Sequence, residues 1–543
     1  MFEKIIALLM SVISAIGLFF FDISDNYTFK IDTSDLGEVI GNKASNVNLW
    51  EIGQHYYGDD SSEKDNIYDF VEYVQLMQCT GGNSVRDLLK NPDDRTVLDD
   101  YDFIKLIKNC HGILRVGAKP CLKIGNVPAK YSADAYSIGF DVNVLPPDDY
   151  DVYYDYIKAM AQALVDEFGR DEVLSWHFTC FTEYENYDWF KCDTPEETAE
   201  ATCKMYDYIV DALQTVIGEN VYVGAHSMTV TEGGWDEGIF IQHCAQGTNY
   251  KTGKKGTRIC CLSASYYENE PGVVGKRKTL AETIGYLQSC AKKYGLENVD
   301  FGIDEGRVLS GNTSGFNKSD LVSRTVGYTW QAAYDAKIYG TLIDIGGSYL
   351  SSWTYKSDGL NKGVPTVSYH VAKHISEFAS SLRVKVKKVL SGLIPLAKVN
   401  VYAGFDEGEN ALHIMAYNYK NQLDYSRKAD LKLKINVPQF DNGEVTVTKY
   451  VINDDCNFFD EWVQDRKDNN LTDDLFDWSP DCPCIGGNGT RGDVMKVYNE
   501  NKEKYYKCAE LIPVSSTEEV VDGKLEINES IGGNNVIFYE ITQ

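Results

Sequence analysis

Short apolar runs rich in β-branched and aromatic residues recur along this chain. Each gives way to a polar or glycine-containing loop, and several are followed by a stretch of helical period. A run without polar alternation is buried on both faces, as in a parallel sheet covered by helices. Such runs fall at 47–52, 71–77, 118–124, a segment ending at Glu183, 221–225, 259–266, 299–303 and 340–345. Amphipathic segments at 150–168, 195–217 and 280–294 read as helices, with Pro195-Glu196-Glu197 suited to a first turn. The repetition predicts an α/β fold, a (β/α)8 TIM barrel. Past residue 379 the pattern changes to alternating runs such as LKLKINV and VTVTKYVI between Gly, Asn and Asp turns. These read as strands of a C-terminal antiparallel β-sandwich. The expected organisation is a barrel over 22–378 and a sandwich over 379–543, with 465–481 as a surface loop.

The chain has 543 residues, enough for a barrel and one further domain, and its 43% hydrophobic content supplies real cores. A formal charge of −29 argues against nucleic acid as a partner, because phosphate binding needs clustered Lys and Arg. Residues 5–21 are apolar or small throughout and read as a signal peptide or, if uncleaved, a membrane anchor. A secreted or cell-surface location is therefore expected, with membrane contact only through an uncleaved segment. The 14 cysteines are scattered, and Cys482-Pro483-Cys484 is too closely spaced for a zinc hook, so no metal site and no cofactor is expected. Cys456, Cys482, Cys484 and Cys508 are candidates for a stapled loop.

Two glutamates carry the chemistry. Glu183, in SWHFTCFTEYENYDWF, and Glu305, in NVDFGIDEGRVL, each close an apolar run at the expected exit of a strand. In a parallel barrel the C-terminal strand ends converge on one face, so distant residues meet there. Glycoside hydrolysis needs two carboxyl groups with different protonation: one donates a proton to the leaving oxygen, and the other is ionised. Phe181, Tyr184, Trp176 and Trp189 give Glu183 an aromatic setting that favours the protonated form, the acid/base role. Glu305 lies beside Asp304, Gly306 and Arg307, where a cation and backbone N–H groups favour the nucleophile's role. The bland alternative is that each glutamate caps the element after its strand. His226 in VGAHSM is either a sugar contact or a buried structural histidine. Asn186 either orients the Glu183 loop or makes a turn.

Several stretches resemble glycoside hydrolase family 39 of clan A. The Glu183 segment with Trp176, Phe178, Trp189 and Phe190 resembles its acid/base strand. KNCHGILRVGAKPCLKIGNVP resembles its third strand, with Gly117, Lys119, Pro120, Gly125 and Pro128 in place. CLSASYY resembles the sixth and puts Tyr267 where the family holds a tyrosine near its nucleophile. Ser352-Trp353-Thr354-Tyr355, with Asp358 beyond, resembles the eighth, and ALHIMAYNYKN and VTKYVINDDCNFFDEW resemble sandwich strands. The departures are Thr182 where an asparagine is usual, Tyr184-Glu185-Asn186 for Pro-Asn, Ser265 for a histidine and Lys123 for a glutamate. They would reshape the sugar pocket and leave the two carboxylates in place. The TEYEN version is similar to family members that release α-L-arabinofuranose-containing units.

The expectation is an exported retaining glycosidase acting on terminal β-D-xyloside or α-L-arabinofuranoside units of plant oligosaccharides or polysaccharides. Glu183 and Glu305 are its catalytic pair, about 5 to 5.5 Å apart, with Thr182, Asn186, His226, Tyr267 and Trp353 as substrate contacts. The alternatives are an endo-acting clan A glycanase on glucan or mannan, and a catalytically impaired carbohydrate-binding protein.

Overall fold

The computed structural model describes residues 25–49, 69–268, 271, 278–308, 321–322, 325–352, 364–390, 396–471 and 492–543. The 5–21 segment and Trp353 lie outside them. Strand β1 (Asn26–Val39) opens the described chain and belongs to a second sheet. Seven of the apolar runs then form β2 (Asn46–Leu49), β3 (Tyr73–Leu76), β4 (Lys119–Ile124), β5 (His177–Cys180), β6 (Tyr222–Met228), β7 (Cys261–Glu268) and β8 (Asp300–Val308), and the short β9 (Ser351–Ser352) completes the row. Neighbours in the order β9-β2-β3-β4-β5-β6-β7-β8 pair in parallel. A parallel bridge from Ile303 to Leu350 joins the two ends of the row into a barrel.

Helices Tyr150–Phe168, Pro195–Val216 and Leu280–Tyr294 lie where the periodicity places them. Thr194 and Thr279 each accept from the backbone N–H three residues on, while Glu197 and Glu282 reach back, so both helices begin with a capping box. The last buries Leu280, Thr283, Ile284, Leu287, Cys290 and Ala291, one face of a 3.6-residue period.

The run at 340–345 is not a strand. It ends the helix Trp330–Ile345, whose side chains are buried nearly all round because it lies between the barrel and the second sheet. Tyr402 donates to Asp344 at 2.8 Å, and Arg383 donates to the Ile343 carbonyl at 3.0 Å. An apolar run buried on every side looks alike as strand or helix. The eighth barrel strand is β9.

Among the described residues the second sheet has nine strands and is mixed, not wholly antiparallel. β1 pairs antiparallel with Leu382–Leu390 and parallel with Ala429–Asn436, so residues 26–39 do not belong to the barrel as expected. Its alternate residues Tyr27, Phe29 and Ile31 share a core with Leu431, Leu433 and Ile435. Strand Ala411–Asn418 is buried on both faces. Leu412, Ile414 and Ala416 enter the sheet's own core, and Met415 and Tyr417 join the barrel's. The segment FDEW is helical, opening Phe459–Asp468, and with Gly492–Cys508 it packs a third cluster around Trp462, Tyr498 and Tyr505. Asp465 to Asp468 therefore end a helix and are not loop. Cys456 and Cys508 are free thiols, and Cys482 and Cys484 lie outside the described residues. Among the described residues no helix is long and apolar enough to cross a membrane, and no cluster of His, Cys, Asp or Glu suits a metal ion.

Candidate active site

β5 stops at Cys180, and the chain turns sharply to present Glu183. Phe181 and Glu183 both take left-handed backbone conformations, φ +75° and +45°, which side-chain-bearing residues adopt rarely and at some cost. The turn is held from β4: Phe181 N–H donates to the Ile124 carbonyl at 2.8 Å, and Tyr184 OH donates to the Gly125 carbonyl at 2.6 Å. Gly125 has φ +126°, and a Cβ there would lie 2.6 Å from Phe181 Cδ1, so only glycine fits. Tyr184 stacks between Phe181 and Phe190, with centroids at 4.3 and 4.4 Å. Trp176 is at the opposite end of β5, donating to Glu172 and packed on Phe168, so it gives Glu183 no aromatic wall. Trp189 stacks on Phe140.

Glu183 is partly exposed, and its carboxylate accepts from Asn186 Nδ2 at 3.0 Å. Burial, and then the charge of Glu305, raise its pKa to about 7. The Asn186 hydrogen bond and Lys123 pull the other way. The structure thus brings the two glutamates within electrostatic reach of one another. Asn186 both turns the loop, its N–H donating to the Glu183 carbonyl at 2.7 Å, and orients the carboxylate.

Glu305 lies inside β8, not in a loop beyond it. Ile303 pairs with Ala264 and Glu305 with Ser265, so Asp304 is an extra residue, a β-bulge. In a regular strand Asp304 and Glu305 would point to opposite faces. The bulge lets both serve the barrel interior. Asp304 accepts from Lys123 Nζ at 2.9 Å across the barrel, and Glu305 accepts from Tyr267 OH at 2.8 Å. Gly306 follows the bulge where a Cβ would lie 2.2 Å from the Tyr266 carbonyl oxygen. Arg307, expected as the cation beside Glu305, donates instead to Asp335 at 2.6 Å and to Ser368.

Thr182 is buried, and its Oγ1 has no hydrogen-bond partner among the described residues. His226 lies in β6, which carries one extra residue between Ala225 and Met228 relative to β7. Two acidic residues escaped the sequence reading. Glu185 is buried, and its Oε2 has no partner among the described residues. Burial and the neighbouring Glu237 carboxylate push its pKa well above the carboxylate range. Glu237 accepts from Thr231 N–H at 2.9 Å and from Thr229 Oγ1 at 3.2 Å. The only sequence signal was the Glu at 185 itself, two residues from Glu183.

A barrel that brings two carboxylates within electrostatic reach, one with its pKa raised to about 7, is the arrangement glycoside hydrolases use. Residues 84–476, well over half the chain, match the model for glycosyl hydrolases family 39. The chain belongs to that family. It is 27% identical over 120 residues to a β-xylosidase of Caldicellulosiruptor saccharolyticus, covering 22% of this chain and 24% of that one. It is also 27% identical over 149 residues to a β-xylosidase of Geobacillus stearothermophilus, covering 27% and 28%. The aligned stretches span about a quarter of either relative's length. Among solved structures, a monomeric β-xylosidase from Caulobacter crescentus CB15 is alike in fold, with a TM-score of 0.65 at 14% identity over 95% of this chain and 99% of that one.

Proposed function

We propose that this protein is an exported, retaining glycosidase that removes terminal pentose-type units, β-D-xylosyl or α-L-arabinofuranosyl, from plant oligosaccharides or polysaccharides. The observation that carries the reading is the pairing of Glu183, whose pKa burial and the Glu305 charge raise to about 7, with a Glu305 that accepts from Tyr267. In the first step Glu183 gives its proton to the departing oxygen while a Glu305 oxygen bonds to the anomeric carbon and the glycosidic bond breaks. In the second, ionised Glu183 takes a proton from water, whose oxygen displaces Glu305 and frees the sugar. Tyr267 fixes the rotamer of Glu305 for attack, and Asn186 does the same for the acid. Two relatives named β-xylosidase support the xyloside half of the proposal. The arabinofuranoside half rests on the TEYEN segment, and export rests on the apolar 5–21 run. A neutral glycan also suits a chain of charge −29.

The test is nitrophenol release from aryl β-D-xylopyranoside and aryl α-L-arabinofuranoside by the wild type and by Glu305→Ala. Turnover of one substrate that vanishes in the variant supports the proposal and chooses the sugar. Absence of turnover on both, with binding of longer glycans, favours an endo-acting or binding-only protein.

A further inference from the structure

The interior of this barrel is unusual beneath the two glutamates. Barrels of this class fill their interior with layers of branched apolar side chains. Here Lys123 from β4 and Asp304 from β8 form an ion pair at 2.9 Å, with 1% and 0% of their side chains exposed. Polar neighbours are buried with them. Asn48 donates to the Asp304 carbonyl at 3.3 Å, and Gln75, Thr179 and Ser263 are fully buried. A buried ion pair costs desolvation and seldom adds net stability over a well-packed apolar pair, so its presence calls for another explanation.

The position of the pair supplies one. Asp304 is the bulge residue that brings Glu305 to the interior, and Lys123 is the group that holds it there. Lys123 also acts through space on Glu183. We propose that Lys123 and Asp304 are a coupled pair of positioning residues: the ion pair pins the β8 bulge so that Glu305 faces the anomeric carbon, and it sets the local charge beneath both glutamates. This rests on the two-carboxylate reading of the site.

The other groups around it are identified. Glu183 faces Glu305 on β8, Lys123 on β4, Ser265 on β7, and Asn186 and Glu185 on its own loop. Tyr267 on β7 bonds Glu305. Cys121 on β4 and Tyr349, just before β9, also lie near Asp304, and burial keeps both neutral, the thiol pushed up to about 12 and the phenol well above its usual value. Among these neighbours, Lys123 supplies the positive charge acting on Glu183, and Asp304 balances it. Removing one partner shifts the charge beneath Glu183 by one unit, in opposite senses for the two residues. Removing both restores neutrality.

The experiment is a double-mutant cycle of Lys123→Met and Asp304→Asn in the full chain, read as kcat, KM and the alkaline limb of kcat/KM against pH. Each single variant is expected to lose kcat roughly a hundredfold, the scale of a 1 Å misplacement, with KM within about threefold. The alkaline limb should move down by about half a pH unit or more in Asp304→Asn, where the cation is left uncompensated, and up in Lys123→Met. The double variant should return the limb to the wild-type position and exceed either single in kcat. Singles that keep kcat within threefold, or limbs that move in the same direction, overturn the proposal. Asp304→Asn is isosteric and carries the test alone if Lys123→Met does not fold. The same opposite shifts are readable without turnover, from the pH dependence of thermal unfolding of each variant with and without Glu183→Gln. A wild type inactive on both aryl glycosides would count against the proposed pentosidase activity, while the unfolding shifts would still decide whether the pair sets the charge beneath Glu183.

Discussion

Replacing Glu183 by glutamine should stabilise the folded chain at neutral pH while abolishing turnover. An unfolded glutamate releases its proton near 4.5, and the folded Glu183 holds it to about 7, because burial and the Glu305 carboxylate both disfavour its charge. Between those values the folded state keeps a proton that the unfolded state has lost. Stability therefore falls as pH rises through this window, and the deficit is complete above about 7. Below 4.5 both states are protonated and the deficit vanishes. At about 1.4 kcal/mol per pH unit the window is worth on the order of 3 kcal/mol. Glutamine has a similar shape and never ionises, so it removes the deficit. The assay is the apparent unfolding temperature of wild type and Glu183→Gln from pH 4.5 to 8, followed calorimetrically. The variant should match the wild type near pH 4.5 and exceed it increasingly toward pH 8. Curves that run parallel across the range would show that Glu183 carries no such deficit. The gain should also shrink in a Glu305→Gln background, since part of the deficit is repulsion between the two carboxylates.

Further outcomes follow from the same geometry. Tyr267→Phe removes the hydroxyl that donates to Glu305, and kcat should fall roughly tenfold to a thousandfold with KM little changed, measured by steady-state kinetics. Thr182→Val should leave the unfolding temperature unchanged or slightly higher, because the buried hydroxyl has no hydrogen-bond partner to lose among the described residues, and should raise KM if that hydroxyl meets the sugar. Gly125→Ala forces a side chain into a left-handed backbone and against Phe181, so stability should fall by about 2 kcal/mol or more, and kcat with it, because the Glu183 turn moves. Thr194→Ala breaks a capping box away from the site and should cost about 1 kcal/mol of stability with kcat unchanged.

Much of the barrel was legible because its signals are local. Helices Tyr150–Phe168 and Leu280–Tyr294 announce themselves by periodicity, and Pro195-Glu196-Glu197 marks a helix start. The run at 340–345 was misread because burial on every side erases periodicity. β1 was misassigned because its partners, Leu382–Leu390 and Ala429–Asn436, lie hundreds of residues on, and no local pattern encodes a pairing at that range. At the candidate site, the segments single out Glu183, Glu305, Tyr267 and Asn186, and the hydrogen bonds from Asn186 and Tyr267 tie these residues into two pairs. The Asp304 bulge and its Lys123 partner, 181 residues away, were not legible. Lys123 stood out only as a departure from a familiar pattern, and its meaning needed the opposite strand.

In the proposed retaining mechanism Glu305 attacks the sugar while Glu183 serves as acid and base. That mechanism is tested most directly by the mass of the intact protein after incubation with a 2-deoxy-2-fluoro-β-D-xylosyl fluoride, or its arabinofuranosyl counterpart, followed by peptide mapping. One fluoroglycosyl group per chain is expected, attached to the peptide that contains Glu305 and absent in Glu305→Ala. Active enzyme that acquires no adduct, or carries it on another residue, would contradict it.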